Sequence, residues 1–453
     1  MLPNSVSEQT AIYIYWDSYE QFREKLYPIA RQAYLQFGIK AAIVTSYWKS
    51  LPDNLLEEQW LTVYRLQEFE VKYKTNKRIF ERIGDMLTAN SKEILFWRQQ
   101  AQDIMNTYNP VAVYMWKPYF KEIPWIIKIA KNKKINTFFI GEYNVTFNLK
   151  SFKRLFHNSI VASAKNDAQH SNRIFFWGSF SLIYLINKFL NPILQSITYI
   201  SFGIWDWKRT LATIPSISYH CVSNELFRKE FLRLKASPKR IIVTGVPEQD
   251  AMFKLNLKKH SLDVKSERQK LGIGKQINLV VFLLENFPAL RSELNECQVN
   301  TLIENVTKEV LKLPNTELLI KVHPRDTQDY SWITVKYPEV CVQQKVSTIS
   351  LVSLADIILA HGSTSVSMAL PMNCPAFLVN FYNYWLCDAL NKAYGIDKVN
   401  TPTELFDKLN HTINHRDYPS NENLELAKSI IDGNAVNRIL ALSGFNKIGY
   451  KKS

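Results

Sequence analysis

The sequence has little of several features that mark particular protein classes. Its 453 residues include five cysteines, widely spaced and without a Cys-x-x-Cys pair. This pattern argues against a disulfide framework and a zinc site, and favours reduced, buried thiols. The thirteen glycines form no Gly-x-Gly-x-x-Gly fingerprint of a dinucleotide site, because "LGIG" at 271–274 lacks the spacing and precedes a predicted strand.

A secretory signal is also missing from the start of the sequence. The first twenty residues contain acidic side chains and lack a basic start followed by a long apolar core, so we expect a cytoplasmic location. With 46% apolar and 21% charged residues the chain is of the globular type. Its net charge of +15 predicts an anionic partner, such as nucleic acid, an anionic membrane or phosphorylated substrates.

Apolar runs of strand length alternate with helical patterns in the first half of the chain. "AIYIYW" at 11–16, "IKAAIVTSYW" at 39–48, "VAVYMW" at 111–116 and "INTFFIG" at 135–141 read as strands separated by helices. A polar stretch is expected to form a long charged helix around 57–86. This repetition predicts a parallel sheet covered on both faces.

The same alternation of strand-length apolar runs and helical patterns occurs later in the chain and predicts a second sheet. Strands are expected at "INLVVFLLE", "TELLIKV", "EVCVQQ", "DIILAH" and "PAFLVNF", with helices between them, one of them near 364–373. The predicted fold is α/β, with two doubly wound Rossmann-like domains facing each other across a cleft. The predicted parts are an N-terminal domain at 1–253, a linker at 254–276, a C-terminal domain at 277–425, and a C-terminal helix that crosses back within 426–453.

An aromatic and apolar insertion at 174–207 interrupts the pattern of the N-terminal domain. Between Ile174 and Ile204 the only charged residue is Lys188, whereas Lys117 to Arg173 hold eleven basic and three acidic residues. Pro192 and scattered amides make the insertion a poor spanning helix. We expect a helix that lies in the plane of an anionic membrane; the alternatives are a buried hairpin or an oligomer contact.

Two predicted strand ends carry polar residues suited to binding an anion. His323 and Pro324 follow "TELLIKV", and proline both ends the strand and directs the histidine off its tip. Gly362 follows "DIILAH" and precedes Ser363, Thr364 and Ser365 at the start of a predicted helix, where hydroxyls and free amides favour phosphate. The alternatives are a structural histidine and ordinary capping of the helix by one hydroxyl.

At these motifs the C-terminal half resembles a known family. "KVHPRD", "ADIILAHGSTSVSMAL" and "IIDGNAVNRIL" resemble the His-Pro motif, the Ser/Thr motif and the closing helix of GT-B glycosyltransferases. The pattern is most similar to bacterial sialyltransferases, Kdo transferases and polymerases of the CDP-glycerol glycerophosphotransferase type, which build capsules and lipopolysaccharide. The resemblance covers about 216–440, and the first 150 residues only as architecture.

The resemblance implies roles for the residues of both motifs. His323 would donate a hydrogen bond or positive charge to a donor phosphate, and Ser363, Thr364 and Ser365 beside Gly362 would hold that phosphate from the other side. Lys321 and Arg325 flank the histidine and would add charge, unless they are simply solvated. No Asp-x-Asp pair occurs in the sequence, so we expect a metal-free reaction with no cofactor.

Further candidates lie at other predicted strand ends. An inverting transfer needs a base from the N-terminal domain, and the candidates are Glu142, which follows a glycine, and Asp17. Asp17 is about as well explained as a helix N-cap. Glu285 and Asn286 come off the first strand of the second domain and would contact nucleotide or sugar, with capping of a loop as the alternative.

The preferred interpretation is a cytoplasmic glycosyltransferase, peripheral on the inner face of the cell membrane. It would use a nucleotide-sugar, with CMP preferred over CDP or UDP, and a glycan or lipid-linked acceptor. One alternative is an enzyme like UDP-N-acetylglucosamine 2-epimerase, which shares the two-domain shape. Another is a non-catalytic protein that binds anionic polymers, although the aromatics lie within apolar runs rather than between basic residues, so no nucleic acid is expected.

Overall fold

Parallel strands with intervening helices build both halves of the molecule. The computed structural model describes residues 9–15, 19–45, 58–67, 79–116, 123–141, 217–233, 237–259, 263–273, 278–285, 294–324, 326–415 and 421–445. In this part of the chain every strand pair is parallel, and the strands form two sheets with helices on their faces. The predicted fold is confirmed: two doubly wound Rossmann-like domains face each other across a cleft, as in the GT-B fold.

The first sheet has the strand order β3-β2-β1-β4-β5-β6-β7. Its central strands read as nearly unbroken apolar runs because both faces are covered. The order reverses direction between β1 and β4, which makes this the switch point of the sheet. The strands are β1 (Thr10–Ile14), β2 (Lys40–Thr45), β3 (Leu61–Arg65), β4 (Ala112–Met115), β5 (Asn136–Ile140), β6 (Tyr219–Val222) and β7 (Ile241–Val243).

The second sheet has the order β10-β9-β8-β11-β12-β13, with its switch point between β8 and β11. Its core is mostly aliphatic and lies between the sheet and its flanking helices. The strands are β8 (Asn278–Leu284), β9 (Thr316–Lys321), β10 (Cys341–Gln343), β11 (Ile357–His361), β12 (Ala376–Val379) and β13 (Lys398–Val399).

The helices connect the strands and bury one face each. In α8, for example, Asn295 and Gln298 form a reciprocal capping box and the apolar face packs on the second sheet. The helices are α1 (Tyr19–Lys25), α2 (Tyr27–Phe37), α3 (Ile79–Tyr108), α4 (Ile123–Asn132), α5 (Glu225–Arg233), α6 (Pro247–Lys259), α7 (Val264–Lys270), α8 (Glu296–Leu311), α9 (Ser331–Lys336), α10 (Thr348–Leu354), α11 (Trp385–Tyr394), α12 (Pro402–His415), α13 (Glu422–Lys428) and α14 (Ala435–Ser443). Short 3-10 helices occupy Pro238–Arg240 and Thr364–Ala369.

At three places the described structure differs from the local predictions or adds to them. The stretch predicted as a helix around 57–86 contains strand β3, which pairs with β2 from Ala41–Leu61 to Thr45–Arg65. The predicted linker at 254–276 is largely helical, since it holds the end of α6 and all of α7, capped by Asp263. The helix predicted near 364–373 is instead a 3-10 helix that ends at Ala369, before β12 begins at Ala376.

The C-terminal helix α14 packs against α2 and α6 of the first domain. Asp250 on α6 accepts hydrogen bonds from the backbone N–H groups of Ala435 and Val436, both at 3.0 Å, and so caps α14. Burial raises the pKa of Asp250 although these N–H groups oppose the shift. Arg438 adds a hydrogen bond to the carbonyl of Thr244 at 2.8 Å. Helix α14 is therefore held against the first domain.

Apolar packing and a buried amide join the two domains. Phe227 on α5 packs against Tyr394 on α11, with ring centroids 5.5 Å apart. Asn224 is fully buried, caps α5 through Phe227 N–H at 3.0 Å, and donates from Nδ2 to the carbonyl of Ala393 at 3.3 Å. One hydrophobic cluster contains residues from both sheets, so the domains share a core at this contact.

The predicted insertion at 174–207 lies outside the described residues. The helices in the described part of the chain lack the combination of length and hydropathy that crossing a bilayer requires. The predicted domain boundaries stay predictions.

Candidate active site

The carboxyl ends of three neighbouring strands bring together candidates from distant parts of the sequence. Strand β8 lies between β9 and β11, and Leu284 at its end pairs with His361 at the end of β11. Glu285 therefore lies next to Gly362, while His323 follows β9 on the other side of β8. Because parallel strands lie roughly 4.8 Å apart, the ends of β9 and β11 are about 10 Å from each other. The site lies at the switch point of the second sheet, where open α/β sheets bind ligands.

Glu285 is enclosed at the centre of this edge. It is 2% exposed, and its Oε2 accepts a hydrogen bond from the Tyr384 hydroxyl at 3.2 Å. Burial raises the pKa of Glu285 to about 8, although the Tyr384 hydrogen bond opposes the shift. The carboxyl group is therefore mostly protonated at neutral pH.

Gly362 allows this carboxyl group to approach the backbone. Its φ of +68° favours glycine, and a Cβ at this position would lie 2.6 Å from both Glu285 Oε2 and Tyr384 Cε1. Any side chain at 362 would displace one of them. The glycine thus brings the backbone of the Ser/Thr motif against Glu285.

His361 is fully buried and supports Tyr384 by packing against its ring. Its ring stacks on that of Tyr384 at 5.0 Å, and Nδ1 donates to the carbonyl of Val379 at 2.8 Å. Because a carbonyl only accepts, Nδ1 carries the hydrogen. Burial lowers the pKa of His361 to about 4, so the ring is neutral at physiological pH. Asn380 fixes the loop by accepting from Tyr384 N–H at 2.6 Å.

The hydroxyls of the Ser/Thr motif are at the surface of the site. Ser363 and Ser365 are half-buried and Thr364 is exposed. Ser363 precedes the 3-10 helix without capping it through its side chain. Ordinary helix capping, the simplest alternative for Ser363, therefore does not account for it.

The His-Pro motif forms a tight turn after β9. His323 is half-buried, and its carbonyl accepts from Asp326 N–H at 3.0 Å, with Pro324 at the second position of the turn that proline favours. The Asp326 carboxylate accepts from the Tyr330 hydroxyl at 2.8 Å, and Gln344 Nε2 donates to the Asp326 carbonyl at 2.7 Å. These contacts fix the backbone that carries the histidine.

Lys321 belongs to the support of this turn. It is 3% exposed, and its Nζ donates to the carbonyls of Val322 and Gln344 at 2.8 and 2.6 Å. Burial lowers its pKa from the ordinary value. The sequence predicted added charge for a phosphate, whereas the structure commits two of the three ammonium hydrogens to backbone carbonyls at the ends of β9 and β10. Arg325 lies outside the described residues.

The corresponding edge of the first sheet offers fewer described candidates. Asp17 and Glu142, the two predicted bases, and Asn286 lie outside the described residues. A Cβ at Gly141, the glycine before Glu142, would fall within the Trp116 ring, so an indole fills the space beside this strand end. Lys25 Nζ lies 3.7 Å from the centre of the Trp116 ring and pairs with Glu248 at 2.8 Å.

Sequence reasoning missed Tyr384, Asn380 and Gln344. Asn380 lies near the end of the predicted strand "PAFLVNF" and Tyr384 follows that strand three residues later, so a systematic reading of every strand end would have found both. Gln344 is the last residue of the predicted strand "EVCVQQ", so the same reading would have found it, but its hydrogen-bond partners depend on the pairing of β10 with β9. Within the described residues no group of three or more His, Cys, Asp and Glu side chains is placed to bind a metal.

Comparisons with known proteins support the fold. No protein-family model matches this chain, and no curated protein sequence matches it. Among solved structures, the UDP-GlcNAc 2-epimerase from Neisseria meningitidis bound to UDP-GlcNAc matches with a TM-score of 0.52 and 12% identity, over 97% of this chain and all of that one. The UDP-GlcNAc 2-epimerase from Methanocaldococcus jannaschii matches with a TM-score of 0.52 and 14% identity, over 96% of this chain and 99% of that one. At such identities the similarity shows a shared fold.

Proposed function

We propose that the protein is a glycosyltransferase that moves a sugar from a nucleotide-linked donor onto a surface glycan or lipid-linked acceptor without a metal ion. The observation that carries the proposal is the grouping of His323, Glu285 and the Gly362–Ser365 turn at the ends of three adjacent strands. Imidazole, hydroxyl and backbone N–H groups are donors that phosphate oxygens accept from. This edge is therefore suited to the phosphate of a nucleotide-sugar.

The proposed chemistry depends on charge that develops on the leaving group. As the glycosidic bond breaks, negative charge grows on the departing phosphate, and donors that are already in place stabilise that charge. His323, Ser363, Thr364 and Ser365 would supply these donors, while Lys321 and Gln344 hold the turn that carries His323. Glu142, or else Asp17, would take the proton of the acceptor hydroxyl.

A CMP-linked donor is preferred because the His-Pro and Ser/Thr motifs most resemble enzymes of that type; CDP- and UDP-linked donors are the next choices. The proposed location is the cytoplasmic face of the membrane, where lipid-linked acceptors are presented. Changing apolar residues between Leu182 and Ile200 to polar ones is expected to lower membrane recovery.

A second candidate is an epimerase acting on a UDP-sugar. It is favoured by the similarity in fold to the two UDP-GlcNAc 2-epimerases, one of them bound to UDP-GlcNAc. Both reactions need a nucleotide-sugar in the cleft, but only the transferase needs an acceptor. Incubation with UDP-GlcNAc alone distinguishes them, since an epimerase forms the C2 epimer whereas a transferase leaves the sugar unchanged or slowly releases UDP.

The first test is a thermal-shift screen against CMP, CDP, UDP and GDP, with and without EDTA. A ligand that binds the folded state raises the melting temperature, so we expect a selective increase that EDTA does not affect. His323→Ala should remove the increase, whereas His411→Ala, at an exposed histidine on α12, should keep it. If no nucleotide raises the melting temperature, the proposal fails and a protein that binds anionic polymers becomes the better interpretation, with binding that weakens steeply as salt increases.

A further inference from the structure

The two oxygens of the Glu285 carboxyl group have different surroundings. Oε2 accepts from the Tyr384 hydroxyl and lies against Gly362. Oε1 is buried and has no hydrogen-bond partner among the described residues. A buried carboxylate oxygen without a donor loses its hydration and gains nothing in return, so the ionised form is disfavoured.

The groups that face Glu285 in the described structure carry no positive charge. They are the Tyr384 phenol from the loop after β12, the backbone of Gly362 after β11, and the Cys387 thiol on α11. Burial raises the pKa of the Cys387 thiol to about 12, and the His361 ring behind Tyr384 is neutral at physiological pH. No described ion pair includes Glu285, so protonation is what makes this carboxyl group neutral.

The position of Glu285 shows why its protonation matters for ligand binding. The carboxyl group touches Gly362, which begins the turn whose hydroxyls the proposed function assigns to a donor phosphate. An ionised carboxylate behind the turn would repel a phosphate bound there, whereas a carboxylic acid removes the repulsion.

We propose that Glu285 supports nucleotide binding in its protonated form: the uncharged carboxyl group, held by Tyr384 at Oε2, packs against Gly362 and positions the Gly362–Ser365 turn without placing a negative charge behind a bound phosphate. This role rests on the proposed function and makes Glu285 a positioning residue for it. The competing role for a glutamate at such a site is an ionised carboxylate that accepts from the hydroxyls of the ribose.

The test compares nucleotide affinity across alkaline pH for wild type and Glu285→Gln. The amide has nearly the same shape as the carboxylic acid, carries no charge and does not titrate. With the nucleotide selected by the thermal-shift screen, we expect equal affinity at about pH 7, within roughly twofold. Above about pH 8 the wild-type Kd should rise about tenfold per pH unit while that of Glu285→Gln stays flat. The second ionisation of a phosphate monoester, near pH 6, lies below this range.

Two further variants sharpen the test. The Tyr384 hydrogen bond lowers the pKa of Glu285, so Tyr384→Phe should move the loss of affinity to higher pH. Glu309→Gln is the matched control, because Glu309 is largely buried and pairs with Lys312. Glu309 lies near the C-terminal end of α8, which leads into the start of β9 at the opposite edge of the sheet. It should keep the wild-type profile.

Three outcomes would overturn the inference. Loss of binding in Glu285→Gln at pH 7, with a flat wild-type profile, would mean that the ionised carboxylate is the ligand. Parallel loss of affinity in wild type and Glu285→Gln would assign the titration to another group. If wild type binds no nucleotide at any pH, the proposed function itself fails and this role fails with it, whereas the first two outcomes leave the proposed function standing.

Discussion

The two sheets share a topology but bury different chemistry. In the first sheet, Tyr13, Tyr114, Phe138 and Tyr219 stack face to face across four adjacent strands, with ring centroids 5.0, 4.9 and 5.2 Å apart. In the second sheet, Phe282 at the centre of β8 has Ile320 and Leu359 as its cross-strand neighbours. At its carboxyl edge the second sheet buries three titratable side chains, those of Lys321, His361 and Glu285.

This difference makes the first sheet the better candidate for a stabilising role and the second sheet the better candidate for binding. Registered positions on parallel strands bring equivalent side chains together, so four aromatic residues at matching positions form one continuous stack. Buried Glu285, His361 and Lys321 carry desolvation costs that an apolar edge would avoid. Such groups are concentrated where ligands bind, so the second sheet is the better candidate for the chemistry.

The largest expected effect is on the stability of the aromatic stack. Phe138 is fully buried between Tyr114 and Tyr219, so Phe138→Ala should lower the free energy of unfolding by about 3 to 5 kcal/mol. Chemical unfolding measures this loss.

The matched pair Phe138→Leu and Phe282→Leu isolates the contribution of the stacking. Both phenylalanines are fully buried, but only Phe138 lies between two stacked rings, so its replacement should cost about 1 to 3 kcal/mol more. Equal costs would remove this part of the comparison between the sheets.

The next effect concerns pH and distinguishes the second sheet. Burial raises the pKa of Glu285 from its ordinary value of 4.5 to about 8, so the contribution of this group to stability is fully present below about pH 4.5 and is lost as pH rises to about 8. Glu285→Gln should abolish this fall of about 5 kcal/mol. Urea unfolding at several pH values measures it, and identical slopes for the two proteins would contradict the assignment. The buried Tyr13 has a pKa raised by burial and adds no slope in this range.

A smaller effect tests how α14 is held against the first domain. Asp250→Ala leaves the N–H groups of Ala435 and Val436 without their acceptor and should cost about 1 to 2 kcal/mol. Asp250→Asn keeps one acceptor oxygen and should cost less. Equal losses for Ala and Asn in chemical unfolding would show that capping is not what Asp250 contributes.

The smallest effect concerns one hydroxyl of the aromatic stack. The Tyr114 hydroxyl forms a hydrogen bond with Ser443 on α14, and Tyr114→Phe should cost about 1 kcal/mol while the stacking is kept. Ser443→Ala should cost a similar amount, and the double variant should cost less than the two added together, because both changes remove the same bond. Additive losses would argue against it.

Much of the fold follows from local pattern. Alternating apolar runs and helical periods predicted two parallel sheets, and α3 ends where Asn109 takes a positive φ before Pro110, as that pair indicates. Strand β3 was missed because its residues 61–65 lie among charged residues and only one side chain of the strand is buried. It is a strand because it pairs with the edge of β2, a contact that local sequence does not encode.

The candidate site likewise has features that the sequence predicted and features that only the tertiary structure determined. The sequence by itself determined that His323 and Gly362 follow strands, because proline and glycine act on the backbone next to them. The tertiary structure decided that β8 lies between those strands, that Tyr384 reaches Glu285, and that Lys321 faces backbone carbonyls. The physical reason is range: torsional preferences act over a few residues, whereas a hydrogen-bond partner or a shifted pKa depends on which distant segment folding brings into contact.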